Sequence, residues 1–111
     1  MTEHDASEAA FVSVALVDDL KPGEMAYVEV GDDPVCLINL DGDYFAISDM
    51  CTHEEASLSD GEIQGDEIEC PLHGGAFDIR TGQPVNLPVV VPVEHFRVRI
   101  VGDEVQVAPN R

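Results

Sequence analysis

The sequence predicts an all-β fold, an antiparallel sandwich-like base that carries one long loop insert. Three observations point there. Apolar and β-branched residues come in short runs without helical period; Gly, Asp and Pro punctuate those runs; and Cys51 to Pro92 is richer in Gly and Pro than its flanks.

The elements follow in chain order. MTEHDASEAA reads as a flexible acidic tail over residues 1–10, and its lack of a basic and an apolar run predicts no secretory signal. Candidate strands are Phe11 to Val17, Met25 to Val30, Pro34 to Leu40 and Tyr44 to Ser48. Asp41-Gly42-Asp43 supplies a tight turn with a Gly for positive φ, so the last two form a hairpin. Asp18 to Glu24 is read as a loop. At the far end His95 to Val101, the turn Gly102-Asp103 and Glu104 to Ala108 make a closing hairpin. Residues 11–111 then form a single domain with an insert over about 51–92. Within the insert, Glu62 to Gln64 and Glu67 to Cys70 form a short hairpin turning at Gly65-Asp66.

Charge narrows the function. Five Lys and Arg stand against 23 Asp and Glu, a net charge of -18. That balance repels phosphate backbones and anionic lipid, so neither nucleic acid nor membrane is an expected partner. No apolar run approaches the ~20 residues of a membrane-spanning helix, and the chain is expected in the cytoplasm. Such charge of one sign also favours a monomer.

The chain has three cysteines, and two stand beside histidines: Cys51-Thr52-His53 and, after sixteen residues, Cys70-Pro71-Leu72-His73. An odd count beside imidazoles favours a metal site over a disulfide framework. Residues two apart in extended chain project to the same side, so Cys51 and His53 can share one metal. Cys70 and His73 need a turn, which Pro71, Gly74 and Gly75 allow. Two sulfurs and two nitrogens suit tetrahedral zinc or a mixed iron-sulfur centre. Cys36, with apolar same-face neighbours Ile38 and Leu40, reads as a buried inert thiol. His4 and His95 read as surface histidines, and Arg80, Arg97 and Arg99 as partners in weak surface ion pairs.

The two Cys/His pairs, at this spacing and with Pro71 and Gly74 in place, resemble the paired motif of Rieske proteins. Ser57-Leu58-Ser59-Asp60-Gly61, Phe77-Asp78 and Thr81-Gly82 extend the resemblance to ferredoxin components of bacterial ring-hydroxylating dioxygenases, and Gln83 to Pro88 resembles the loop covering the cluster. The resemblance implies the Rieske iron-sulfur fold and one [2Fe-2S] cluster, with Cys51 and Cys70 on one iron and His53 and His73 on the other. It further implies a one-electron carrier, not itself an enzyme, between a flavin-dependent reductase and a terminal oxygenase in aromatic hydrocarbon catabolism. Zinc fingers usually pair Cys with Cys and His with His, which argues against a zinc-stabilised interaction module. A nitrite reductase small subunit, often without the ligands, is the other alternative.

Ligand charge sets the class of potential. Two thiolates and two neutral imidazoles leave the oxidised centre neutral, and such clusters lie at about -150 to +300 mV against roughly -400 mV for all-Cys plant-type clusters. High-potential Rieske proteins add a disulfide between the loops and Ser and Tyr hydroxyl donors. Here Ala56 and Leu72 stand at the disulfide positions and Gly75 and Phe77 at the hydroxyl positions, which predicts the low end, near about -150 mV. Glu54 and Glu55 push the same way, and with Asp60 and Glu62 they form a candidate acidic docking face.

Overall fold

A computed structural model of the chain describes residues 11–52, 56–71, 75–86 and 91–109. Ten strands follow in order: β1 (Val12–Leu16), β2 (Met25–Val30), β3 (Asp33–Leu40), β4 (Asp43–Ser48), β5 (Glu62–Gln64), β6 (Glu67–Glu69), β7 (Ala76–Asp78), β8 (Pro84–Asn86), β9 (His95–Val101) and β10 (Glu104–Ala108). The described residues contain no α-helix, and none of their helices is long and apolar enough to cross a membrane.

Six strands make the base, in the order β1-β10-β9-β4-β3-β2, and every pairing is antiparallel. The edge strands β1 and β2 approach one another, so the expected sandwich-like base closes toward a barrel. Inside it Val30, Val35, Leu37, Ala46, Phe96, Val105 and Val107 form one core. The second sheet, β5-β6-β7-β8, is the insert.

Strand β3 joins the two sheets. Side chains alternate along a strand, so Val35 and Leu37 enter the barrel core, while Cys36, Ile38 and Leu40 enter a second core with Ile68, Phe77 and Ile79 of the insert. Burial on both faces explains why Val35 to Ile38 read as an unbroken apolar run. Asn39 interrupts that run, yet its amide is satisfied: it donates to the Leu20 carbonyl at 2.9 Å and accepts the Gly42 N–H at 2.8 Å.

The hairpin turns lie where the sequence places them. Leu40 pairs with Asp43, and both Asp41 (φ 56°) and Gly42 (φ 98°) hold positive φ, the pattern of a type I′ turn. Gly65-Asp66 and Gly102-Asp103 close the other two expected hairpins.

Three elements differ from expectation. A 3₁₀ turn over Val17–Asp19 opens the segment read as a loop, because the Asp19 carboxylate accepts the Leu16 N–H at 2.9 Å and tightens the chain there. Strand β6 ends at Glu69, one residue short of Cys70. Strands β7 and β8 turn the single expected hairpin of the insert into a four-stranded sheet. The tail over residues 1–10, with His4, lies outside the described residues.

Candidate metal centre

Each cysteine of the motif stands just past the end of a strand. Cys51 follows β4 and Cys70 follows β6, so both inherit their position from a paired ladder. Each also opens a loop closed in the same way: the Cys51 N–H donates to the Ala56 carbonyl at 3.0 Å, and the Cys70 N–H donates to the Gly75 carbonyl at 2.6 Å. The sequence pairs Cys51 with Cys70 by motif, and the backbone repeats that pairing.

Both side chains are buried, Cys51 at 3% and Cys70 at 2% exposure, and both belong to the core shared by the two sheets. Neither forms a disulfide. Cysteines bind metal as thiolates, and two buried cysteines at the heads of matching loops fit the sulfur half of a mixed iron-sulfur site. His53 and His73, with Glu54, Glu55 and Leu72, lie outside the described residues.

The segment from Gly82 to Val93, a strap described at residues 82–86 and 91–93, is hydrogen-bonded beside each loop. The Thr52 hydroxyl donates to the Val91 carbonyl at 2.8 Å, next to Cys51. On the second loop the Ala76 N–H donates to the Asn86 side-chain oxygen at 2.8 Å. Of the stretch expected to cover the site, Gln83 to Asn86 are described and Leu87 and Pro88 are not. The strap is anchored below by Gly82, whose carbonyl accepts the Val93 N–H at 2.8 Å. With φ at 80°, a Cβ at Gly82 would collide with the Val93 carbonyl oxygen, so the anchor needs glycine twice over. Asp78 secures the same turn by accepting the Arg80 and Thr81 N–H groups at 2.8 and 3.2 Å.

Hydroxyl donors are also missing at the expected places. Phe77 is fully buried in the core that holds both cysteines, and it brings no O–H; Gly75 contributes its carbonyl to loop closure.

Carboxylates surround this end of the molecule. Asp60, Glu62 and Glu69 line a cleft of about 340 Å³ together with Gly61, Cys70 and Pro71. Glu62 lies directly opposite Glu69, and Glu67 opposite Asp78, pairings that destabilise a sheet. Gln64 relieves one of them by donating to Glu69 at 3.0 Å. The arginines also meet aromatic rings. Arg97 and Arg99 stack on the Phe11 ring at 5.4 and 4.1 Å, and Arg80 combines a 3.9 Å pair with Asp66 and a 5.2 Å approach to Phe45. His95 is exposed on β9.

Cys36 is fully buried, as expected, with its thiol 3.7 Å from the Met25 sulfur. Burial, aided by the Asp49 charge, pushes its pKa far up. An unfolded thiol ionises near about pH 8.5 whereas the folded one keeps its proton. This group's stability is therefore present below that pH and lost above it, at about 1.4 kcal/mol per pH unit for one proton. Denaturant titrations between about pH 8.5 and 10 should show Cys36→Ala losing stability with a shallower slope than wild type; parallel slopes would contradict the burial argument.

Similarity to known proteins agrees with this geometry. A family model described as the Rieske [2Fe-2S] domain matches residues 10–97. The chain is 40% identical over 98 residues to the ferredoxin component of biphenyl 2,3-dioxygenase from Rhodococcus jostii (strain RHA1), covering 88% of this chain and 92% of the relative. The ferredoxin of carbazole 1,9a-dioxygenase from Nocardioides aromaticivorans IC177 superposes with a TM-score of 0.87 at 44% identity, over 91% of this chain and 99% of that one. A ferredoxin solved in complex with the reduced oxygenase of carbazole 1,9a-dioxygenase superposes with a TM-score of 0.85 at 41% identity, over 89% and 93% of the two chains. Together with paired cysteine loops on a two-sheet β scaffold, these matches establish that the chain belongs to the Rieske [2Fe-2S] domain family.

Proposed function

We propose that this chain is the ferredoxin of a ring-hydroxylating dioxygenase system, a one-electron carrier working as a single domain. Cys51 and Cys70, with His53 and His73, hold the Rieske [2Fe-2S] cluster, which supplies reversible uptake of one electron. The observation that carries this reading is the pair of buried cysteines heading two identically closed loops, in a chain that matches dioxygenase ferredoxins over nearly their whole length. Relatives named as electron carriers favour it over a nitrite reductase small subunit or a zinc-bound module.

The protein's own part is to hold the sulfurs away from water in the core between the sheets and to keep the two loops in register through the strap. With Phe77 and Gly75 at the positions where hydroxyl donors would stand, the ligand sulfurs keep their negative charge, and the potential sits at the low end of the Rieske range, near about -150 mV. The electron arrives from a flavin-dependent reductase and leaves to the terminal oxygenase.

A test starts with iron and acid-labile sulfide in the anaerobically reconstituted chain, then follows the reduction potential against pH. Reduction adds negative charge at the centre and raises the imidazole pKa values of His53 and His73. The potential is therefore level while the oxidised form stays protonated and falls once it deprotonates. A level potential far into the alkaline range would rule out histidine ligation.

The docking face combines Glu54 and Glu55 with the carboxylates that line the cleft beside Cys70: Asp60, Glu62 and Glu69. They steer a basic patch of the reductase or the oxygenase toward the centre. Reversing Glu54 and Glu55 to lysine should slow electron transfer several-fold at low salt and have much less effect at high salt, where the screening length falls to about 3 Å near 1 M. Equal rates at low salt would remove the face from the account.

A further inference from the structure

Among the described residues one charged side chain is buried: Asp49, at 4% exposure. It stands just past β4 and two residues before Cys51. No cation pairs with it among the described residues, and all its side-chain donors come from the segment that follows the first ligand loop. Ser59 N–H donates to one carboxylate oxygen at 2.8 Å, and the Ser57 hydroxyl donates to the other. Its backbone continues the clamp, accepting the Leu58 N–H at 2.6 Å and donating to the Pro34 carbonyl of β3 at 3.0 Å. Met50 and Ser57 form a β-bridge across the same gap. Asp49 thus ties both ends of the Cys51 loop to the scaffold.

A neutral amide would serve the backbone contacts and the Ser59 N–H as well. What the carboxylate adds is a charge, and burying a charge without a counter-ion carries a large desolvation penalty. The charge reaches its surroundings, since it raises the pKa of Cys36, a member of the same core as Cys51 and Cys70.

We propose that Asp49 is a positioning residue for the cluster, fixing the Cys51 loop from behind and holding a negative charge that favours the oxidised state. This rests on the reading of Cys51 and Cys70 as cluster ligands. Coulomb repulsion between the carboxylate and the negative charge that reduction adds to an otherwise neutral centre, at partly screened distances, is the physical cause.

The test uses the full reconstituted chain and reads iron and sulfide content beside the reduction potential. Asp49→Asn keeps the size and one acceptor and removes the charge. It should load iron as wild type does and shift the redox equilibrium about three- to tenfold toward the reduced form, tenfold being about 59 mV for one electron. Full loading with an unchanged or lowered potential would overturn the proposal. If Asp49→Asn fails to load, Ser57→Ala decides. It keeps the charge and removes one hydrogen bond that disperses it, so the potential should fall; an unchanged or raised value overturns the proposal. Wild-type chain that binds no iron would instead refute the ligand reading, a failure separate from either variant's result.

Discussion

Replacing Cys70 by alanine is expected to leave a folded protein that binds no [2Fe-2S] cluster. Its iron and acid-labile sulfide should fall to background, and its electron transfer by at least about 100-fold, the upper range for loss of a single metal-site interaction. The side chain is 2% exposed at the head of the second loop, and alanine supplies no sulfur there. Cys36→Ala is the internal control. That residue lies in the same core and is equally buried, yet it sits in mid-strand with the Met25 sulfur as its neighbour. It should keep full iron content at a stability cost of about 1 kcal/mol, the loss of one small buried group. Iron measurements on the two variants side by side decide whether position, rather than the mere presence of a thiol, makes the site; equal iron in both would sink the assignment of Cys70.

Phe77→Ala should bring the largest loss of stability, about 3 to 5 kcal/mol. A domain of this size has about 5 to 15 kcal/mol in all. The ring is fully buried in the core between the sheets, where it packs with Ile68 and Ile79 under both cysteines, and its strand β7 pairs with β6 and β8. The cavity would open beneath the ligand loops, so holo protein should lose its cluster faster as well as unfold at lower denaturant. Phe77→Leu, which fills more of the space, should recover more than half of the loss. Denaturant midpoints of the two apo variants check this, and an alanine variant within about 1 kcal/mol of wild type would mean that the insert closes over the gap.

What could be read along the chain was local. The three hairpins β3-β4, β5-β6 and β9-β10 follow from short apolar runs around Gly-containing turns, and their strands lie within a residue or so of the expected limits. The candidate ligands Cys51 and Cys70 follow from spacing and motif, because a metal site made of two short motifs needs no knowledge of the rest of the fold. Strands β7 and β8 were not legible. Each has three residues, one contains Pro84, and their pairing with each other is irregular between Ala76 and Phe77. Short strands of that kind exist because neighbours hold them, and no period can show in three residues. Arg97 and Arg99 read as ion-pair partners in so acidic a chain; that they stack on Phe11 depends on β1 and β9 flanking β10 in one sheet.

Asp49 marks the same boundary most clearly. In the sequence it is one of 23 acidic residues and looks like any solvated carboxylate; the fold turns it inward and makes it a clamp. By itself the sequence determined the chemistry: which donors are present, at what spacing, on a β scaffold of high negative charge. Only the tertiary structure decided the environment, with the base closing toward a barrel, hydrogen bonds from beside both loops to the Gly82 to Val93 segment and a buried carboxylate next to the first loop. The division has a physical reason. Turn and strand preferences act between residues adjacent in the chain, whereas burial of a charge and joining of two loops depend on contacts between residues that only folding brings together.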